Sequence, residues 1–354
     1  MSEALNEAWN GVLAQLEAAG ARVEVLTEGR PAVERAEGYR FLTRVLAAMG
    51  EFSVEADADW PVLMRVMSPT RKFYGDCPDT IYHRASLRGG REYRVWGRRG
   101  EELYLAFCVY GLRGKGTAIL ANVSDAEMEF GEDGSFELVL SAERPAGATN
   151  WLPLEATATT LVTRQYFANW REEVPADLNI ERLGTTGPPP ESDADGMVRR
   201  LRAMGESVAR TLKATELASA EWVARPNEVS IDSSAAGLAG LFATPDNRYV
   251  GGWYRLAENE ALVITGRAPR CRYWGAQLWS RWLESRDYLN RSVCLNHSQM
   301  TLEPDGSYRI VVAHRDPGIS NWLDTGGHIE GGVVFRWLQA EEEPMRPVFT
   351  LENI

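Results

Sequence analysis

The chain has 354 residues, 44% apolar and 25% charged, which is the balance of a folded globular protein and too apolar for a disordered one. Its net charge of −12 and the lack of any Lys/Arg-rich run remove the electrostatic footing for nucleic acid. No run of about 18 apolar residues offers a membrane span. The first residues lack a basic stretch followed by an apolar one, so no signal peptide and a cytoplasmic location are expected. Four widely spaced cysteines (Cys77, Cys108, Cys271, Cys294) agree with reduced thiols and argue against cysteine-bound zinc.

Residues 1–50 read as an N-terminal helical segment. Ala8, Val12, Leu13 and Leu16 recur at helical spacing. A second run from Ala32 to Met49 gathers Tyr39, Phe41, Leu42, Val45 and Leu46 on one broad face, and Gly50 is expected to stop it. Residues 51–78 mix Pro, Asp and aromatics and are expected to be mainly irregular. From about Thr80, short alternating runs bounded by Gly, Asp and Pro predict strands, as in Glu102-Leu-Tyr-Leu-Ala-Phe and Ser135-Phe-Glu-Leu-Val-Leu-Ser. Gly187-Pro-Pro-Pro opens a linker. An amphipathic helix follows, striped by Met197, Leu201, Met204, Val208, Leu212 and Leu217, and strand texture returns from Tyr249.

The two strand-rich regions repeat one another. Asp133-Gly-Ser-Phe-Glu-Leu-Val-Leu-Ser corresponds to Asp305-Gly-Ser-Tyr-Arg-Ile-Val-Val-Ala, Asn150-Trp-Leu to Asn321-Trp-Leu, Tyr104 to Tyr273, and Arg164 to Arg336. A single long offset means two copies of a domain-sized unit. The expected fold is mainly β: two related β-sandwich or jelly-roll units with an N-terminal helical segment and a helical connection. The expected division is 1–50 helical, 51–186 first sandwich, 187–230 linker and helix, and 231–354 second sandwich.

Comparing the copies suggests where function lies. The second has His314-Arg315-Asp316, Asp324 and His328-Ile-Glu330; the first has Ala142-Glu-Arg, Pro153 and a Thr/Ala-rich run at 157–160. In an extended strand His314 and Asp316 share a face, as do His328 and Glu330. Such a set could ligate a divalent metal such as Zn, Mn or Fe, or could act without metal as acid and base, with Arg315 meeting an anionic group. Backbone-bonded histidines are the alternative, and the favoured reading for His83 and His297. Arg164 and Arg336, alike in both copies, are expected to form structural ion pairs, with a substrate clamp as the second reading for Arg336. Asn-Trp-Leu is expected to anchor a loop. Trp279 and Trp282 belong either to a ligand pocket or to a sandwich core. No Walker loop, GxGxxG, GxSxG or HExxH occurs, so no nucleotide cofactor is expected.

Asp305-Gly-Ser, His314-Arg-Asp-Pro-Gly-Ile-Ser-Asn-Trp-Leu-Asp-Thr-Gly-Gly-His328 and Arg336 resemble the bacterial family called domain of unknown function 1214. The first copy resembles it through Asn150-Trp-Leu-Pro and Leu161-Val-Thr-Arg-Gln-Tyr. The likeness covers about 80–354, strongest at 249–340, and implies β-sandwich or jelly-roll domains without assigning catalytic residues. The leading expectation is an enzyme (hydrolysis, elimination or isomerisation) acting on a small, partly hydrophobic, anionic molecule. Its catalytic set would be His314, Arg315, Asp316, His328 and Glu330, with Trp279, Trp282, Asp324 and Arg336 holding substrate. The alternative is a non-catalytic binder of a lipid or sugar-like ligand, or an interaction scaffold. A homodimer is the base-rate expectation.

Overall fold

The computed structural model describes residues 2–114, 116–234 and 242–354. In the first copy a five-stranded sheet has the order β1 (Met64–Arg65), β2 (Thr80–Ser86), β8 (Ala158–Tyr166), β4 (Tyr104–Arg113), β5 (Gly116–Ser124). Facing it is a four-stranded sheet of β7 (Asn150–Pro153), β6 (Ser135–Ser141), β3 (Tyr93–Arg98) and β9 (Asp177–Arg182).

The second copy repeats this arrangement strand for strand. Its five-stranded sheet runs β10 (Val229–Ser234), β11 (Asn247–Arg255), β17 (Glu330–Leu338), β13 (Tyr273–Trp279), β14 (Cys294–Asn296). Its four-stranded sheet runs β16 (Trp322–Asp324), β15 (Tyr308–Ala313), β12 (Glu260–Gly266), β18 (Val348–Asn353). Even the one parallel pairing recurs, β6 with β7 and β15 with β16. The fold is mainly β, two related sandwiches.

The repeated sequence blocks hold the same local geometry. Asp133 and Asp305 each accept from the backbone N–H two residues on, at 3.1 and 2.9 Å, while Gly134 and Gly306 take φ near +80° between them. Asn150 accepts from Glu129 N (2.8 Å) and donates to the carbonyls of Glu129 (2.9 Å) and Glu137 (3.0 Å). Asn321 makes the matching bonds to Thr301 N (2.9 Å), Thr301 O (2.7 Å) and Arg309 O (3.1 Å). The Asn-Trp-Leu triplet therefore ties the short parallel strand to its neighbours in both copies.

Each sandwich has its own core: Leu105, Phe107, Val109, Leu138 and Leu161 in the first, Leu262, Leu278, Ile310, Phe335 and Trp337 in the second. The opposite faces of the five-stranded sheets are also buried, because the two sandwiches meet there. Tyr104, Ala106 and Tyr166 pack against Tyr273 and Leu338 across that junction. Strands covered on both faces lose the polar half of their alternation, and this explains the unbroken burial of β17 and β13.

Helices α1 (Ser2–Leu26), α2 (Ala32–Met49) and α3 (Ala194–Val223) bundle through Val12, Val23, Phe41, Val45, Val208 and Leu212, with Trp282 of the second copy inserted among them. Asp193 caps α3 by accepting from Gly196 N at 2.6 Å. The α-helix ends at Met49, where Gly50 was expected to stop it, but the chain does not straighten there. Gly50 keeps helical dihedrals (φ −56°), and a wide turn carries the chain to Glu55. The reason is packing: Phe52 is buried in the bundle, edge-on to Phe73.

Candidate functional site

The second-copy polar residues are engaged in separate local contacts. His314 Nδ1 lies 2.8 Å from the Thr325 hydroxyl and Nε2 3.4 Å from the Leu256 carbonyl, so both ring nitrogens have partners. Arg315 pairs with Glu258 at 2.8 Å in an exposed position, and Asp316 accepts from Gly318 N at 2.8 Å. Asp324 accepts from Gly326 N (2.7 Å) and pairs with Arg291 (2.8 Å). His328 turns the other way, to Glu37 of α2 at 3.1 Å. Glu330 pairs with Arg30, with Arg255 (2.9 Å) and with Arg281 (3.7 Å). His328 thus docks α2, and Glu330 the turn before it, on the second sandwich, while His314, Asp316 and Asp324 shape its loops. Among the described residues no three His, Cys, Asp or Glu side chains converge to hold a metal ion.

A cavity of about 530 Å³ lies elsewhere, at the junction of the two sandwiches beneath α3. Its position follows from strand alternation. On β8 the inward residues Leu161 and Gln165 leave Thr160, Val162, Arg164 and Tyr166 on the outer face. On β17 the core residues Val333, Phe335 and Trp337 likewise leave Val334 and Arg336 outside. Phe52, Met67, Phe73, Trp222, Trp279 and Leu283 supply apolar walls, and Ser207, Arg210 and Thr211 of α3 close one side.

The charge of this lining is one-sided. It contains four arginines (Arg84, Arg164, Arg210, Arg336) and, among the described residues, no Asp or Glu, although the chain as a whole carries −12. Arg164 and Arg336 are 1% and 4% exposed and form no ion pair among the described residues. Their partners are neutral. Arg164 donates to the Tyr110 hydroxyl (2.7 Å) and the Phe242 carbonyl (2.5 Å); Arg336 donates to the Gly75 carbonyl and, at 3.4 Å, to the Tyr82 hydroxyl. Arg164 Nη1 and Arg336 Nε have no partner among the described residues. Among the described residues the expected structural ion pair is therefore absent at both positions; hydroxyls, carbonyls and ring faces take its place.

The two arginines occupy equivalent frames. Arg164 stands opposite Tyr82 of β2, with its guanidinium carbon 5.9 Å from that ring. Arg336 stands opposite Tyr249 of β11, at 5.8 Å. Trp279 adds a face 5.5 Å from Arg336, while its own N–H donates to the Asp76 carbonyl. Asn247 links the halves by donating to Tyr166 (2.7 Å) and Tyr249 (3.0 Å). Burial pushes the Tyr82 hydroxyl up to about 12 against the pull of Arg336, so the phenol is neutral near pH 7 and supplies no counter-charge. Burial draws Arg84 down to about 10, which leaves it cationic.

Of the sequence-stated residues, Trp279 and Arg336 line this cavity. Trp282 does not: it stacks on Phe41 under α2 and donates to the Glu34 carbonyl. Arg164, Tyr82 and Tyr249 were not singled out as ligand groups. The signal for them was an arginine amid apolar strand residues in both copies, with no acid at the matching strand positions.

The architecture defines a class of protein: tandem β-sandwiches joined face to face, with a partly open, arginine-bearing cavity at their junction. The chain belongs to the family described as protein of unknown function (DUF1214), whose model matches residues 107–169, from within β4 to just beyond Arg164. That match falls on the first copy, whereas the motif likeness was strongest in the second. An uncharacterised protein from Burkholderia cenocepacia is 31% identical over 100% of this chain and 99% of its own, with a TM-score of 0.93. The VPA0106 protein from Vibrio parahaemolyticus is 13% identical over 89% of this chain and 98% of its own, with a TM-score of 0.50, a likeness of fold alone. No curated protein matches the chain.

Proposed function

We propose that the chain binds a small organic anion with an apolar body in the cavity between its sandwiches. The observation that carries this is the pair of buried arginines without carboxylate partners in a lining otherwise apolar or hydroxylic. Placing a guanidinium out of water costs several kcal/mol unless a counter-charge is near. A bound carboxylate, sulfonate or phosphate supplies that charge and accepts paired N–H bonds, while Phe52, Phe73, Trp222 and Trp279 suit a hydrophobic or aromatic body.

Catalysis by His314, Asp316, His328 and Glu330 is the weaker proposal, since each already bonds to a local partner. The described cavity lining holds no carboxylate, imidazole or thiol, so proton transfer there would fall to phenols. Among the described residues no helix is long and apolar enough to cross a membrane; the four free cysteines support the cytoplasmic location as a proposal.

Titration with anilinonaphthalene sulfonate, an aromatic anion that brightens in apolar surroundings, tests the binding reading. Saturable binding is expected, weakened at least about tenfold by Arg164→Gln or Arg336→Gln, the size of one lost charge-assisted bond. Equal affinity in variants that still unfold cooperatively would sink it.

A further inference from the structure

The charge count at the cavity goes further than the sign of its ligand. Of the four lining arginines, Arg210 is exposed and Arg84 half-buried, while the two fully buried guanidiniums, Arg164 and Arg336, flank one phenol. The Tyr82 ring lies 5.9 Å from the guanidinium carbon of Arg164, and its hydroxyl lies 3.4 Å from Arg336 Nη1. Each arginine keeps an N–H group without a partner among the described residues, Nη1 on Arg164 and Nε on Arg336. Neither has a carboxylate within ion-pairing reach among those residues, and Tyr82 stays neutral near pH 7. The buried Asp79, outside the lining and held by the Tyr273 hydroxyl, feels the charge of Arg336 without pairing with it. A single negative charge in the cavity therefore pairs one guanidinium and leaves the other buried without an ion-pair partner, which is unfavourable out of water.

We propose that the ligand carries a compact headgroup of charge minus two that Arg164 and Arg336 grip together, with its apolar body directed along Phe73, Trp222 and Trp279. The inference rests on the anion-binding reading above and specifies its substrate class: a phosphate monoester or a geminal dicarboxylate attached to a hydrophobic or aromatic group. Both headgroups present several oxygens within one small volume, which suits two planar N–H forks arriving from opposite sandwiches. The duplication explains how such a grip arises. One arginine at one strand position, placed twice by two face-to-face copies, becomes a pair.

Calorimetric titration of the full chain at pH 8 with phenyl phosphate, benzylmalonate and phenylacetate tests the headgroup directly. At that pH the first two are dianions and the third a monoanion; the second ionisation of a phosphate monoester lies near about 6. The expected result is at least about tenfold tighter binding of one dianion than of phenylacetate, and the tighter of the two identifies the headgroup. Arg164→Gln and Arg336→Gln should each shrink that preference to within about threefold. Phenylacetate binding as tightly as both dianions overturns the minus-two headgroup while leaving the anion site intact. If none of the three binds, the anion-binding reading fails with it. Inorganic phosphate binding as tightly as phenyl phosphate overturns the apolar-body part. The comparison among ligands needs no variant, so it stands even if a substitution disturbs folding.

Discussion

Arg164 and Arg336 are held by hydroxyl and carbonyl oxygens, and this decides how their loss should behave. Removing one partner of a buried ion pair usually costs about 3–5 kcal/mol because a charge is stranded. Here no carboxylate among the described residues is ion-paired with Arg336; the buried Asp79 feels its charge but is held by the Tyr273 hydroxyl. Arg336→Met is therefore expected to leave the ligand-free protein as stable as the parent, or more so, in urea unfolding, while abolishing the anion preference. A loss of about 3 kcal/mol or more would reveal an ionic partner. His83 supplies a second prediction at this scale. Burial, reinforced by Arg65, pushes its imidazole down to about 4, and its Nδ1 has no partner among the described residues. The unfolded chain binds a proton near pH 6.5 that the folded chain refuses until about 4. This histidine's contribution to stability is thus complete above pH 6.5 and is lost as pH falls toward 4. His83→Gln should lessen the acid loss of stability across that window, and an unchanged pH slope would contradict the assignment. Of the other histidines, His314 meets the Thr325 hydroxyl and the Leu256 carbonyl, His328 meets the Glu37 carboxylate, and His297, like His83, keeps an Nδ1 without a partner among the described residues. Arg164 and Arg336 depart from the structural ion pair that the sequence suggested, because agreement between copies looks structural until the copies are known to face one another.

At the scale of elements, much was legible. The apolar spacing marked α2 at Ala32–Met49, and the Asp-Gly-Ser turns and Asn-Trp-Leu triplets marked corresponding strands. Asn321→Ala and Asn150→Ala each remove a side chain that satisfies three backbone groups. Each is expected to cost on the order of 3 kcal/mol in chemical unfolding, and near-neutral variants would show that the triplet is not an anchor. Gly38 illustrates a conflict that sequence alone resolves wrongly. Helix propensity favours Gly38→Ala by about 1 kcal/mol. A Cβ there, however, would stand 2.6 Å from both the Trp282 ring and Val23. Overpacking of this kind typically costs about 1–3 kcal/mol, so the variant should melt below the parent. A higher melting temperature would mean that the contact relaxes freely. The unexpected run past Gly50 belongs here too, since only the tertiary fold shows where Phe52 is needed.

Across the whole molecule, the junction between sandwiches explains why the cavity was hidden. Periodicity tells which residues leave a sandwich core but not what meets them, and the outer face of β8 reads the same whether water or a second copy covers it. Helix α3 and the end of α2 close over this junction, with Trp222 against Trp253 and Trp279. The cavity is thus a property of both copies and the helices together. The most direct test of that claim is the anomalous difference map of a crystal soaked with para-iodobenzoate, whose carboxylate and iodine mark the two ends of a bound anion. The account places the iodine beside Phe73 and Trp279, with the carboxylate at Arg164 and Arg336. Iodine confined to the outer surface, or found beside His314 and His328 with the cavity empty, would contradict it.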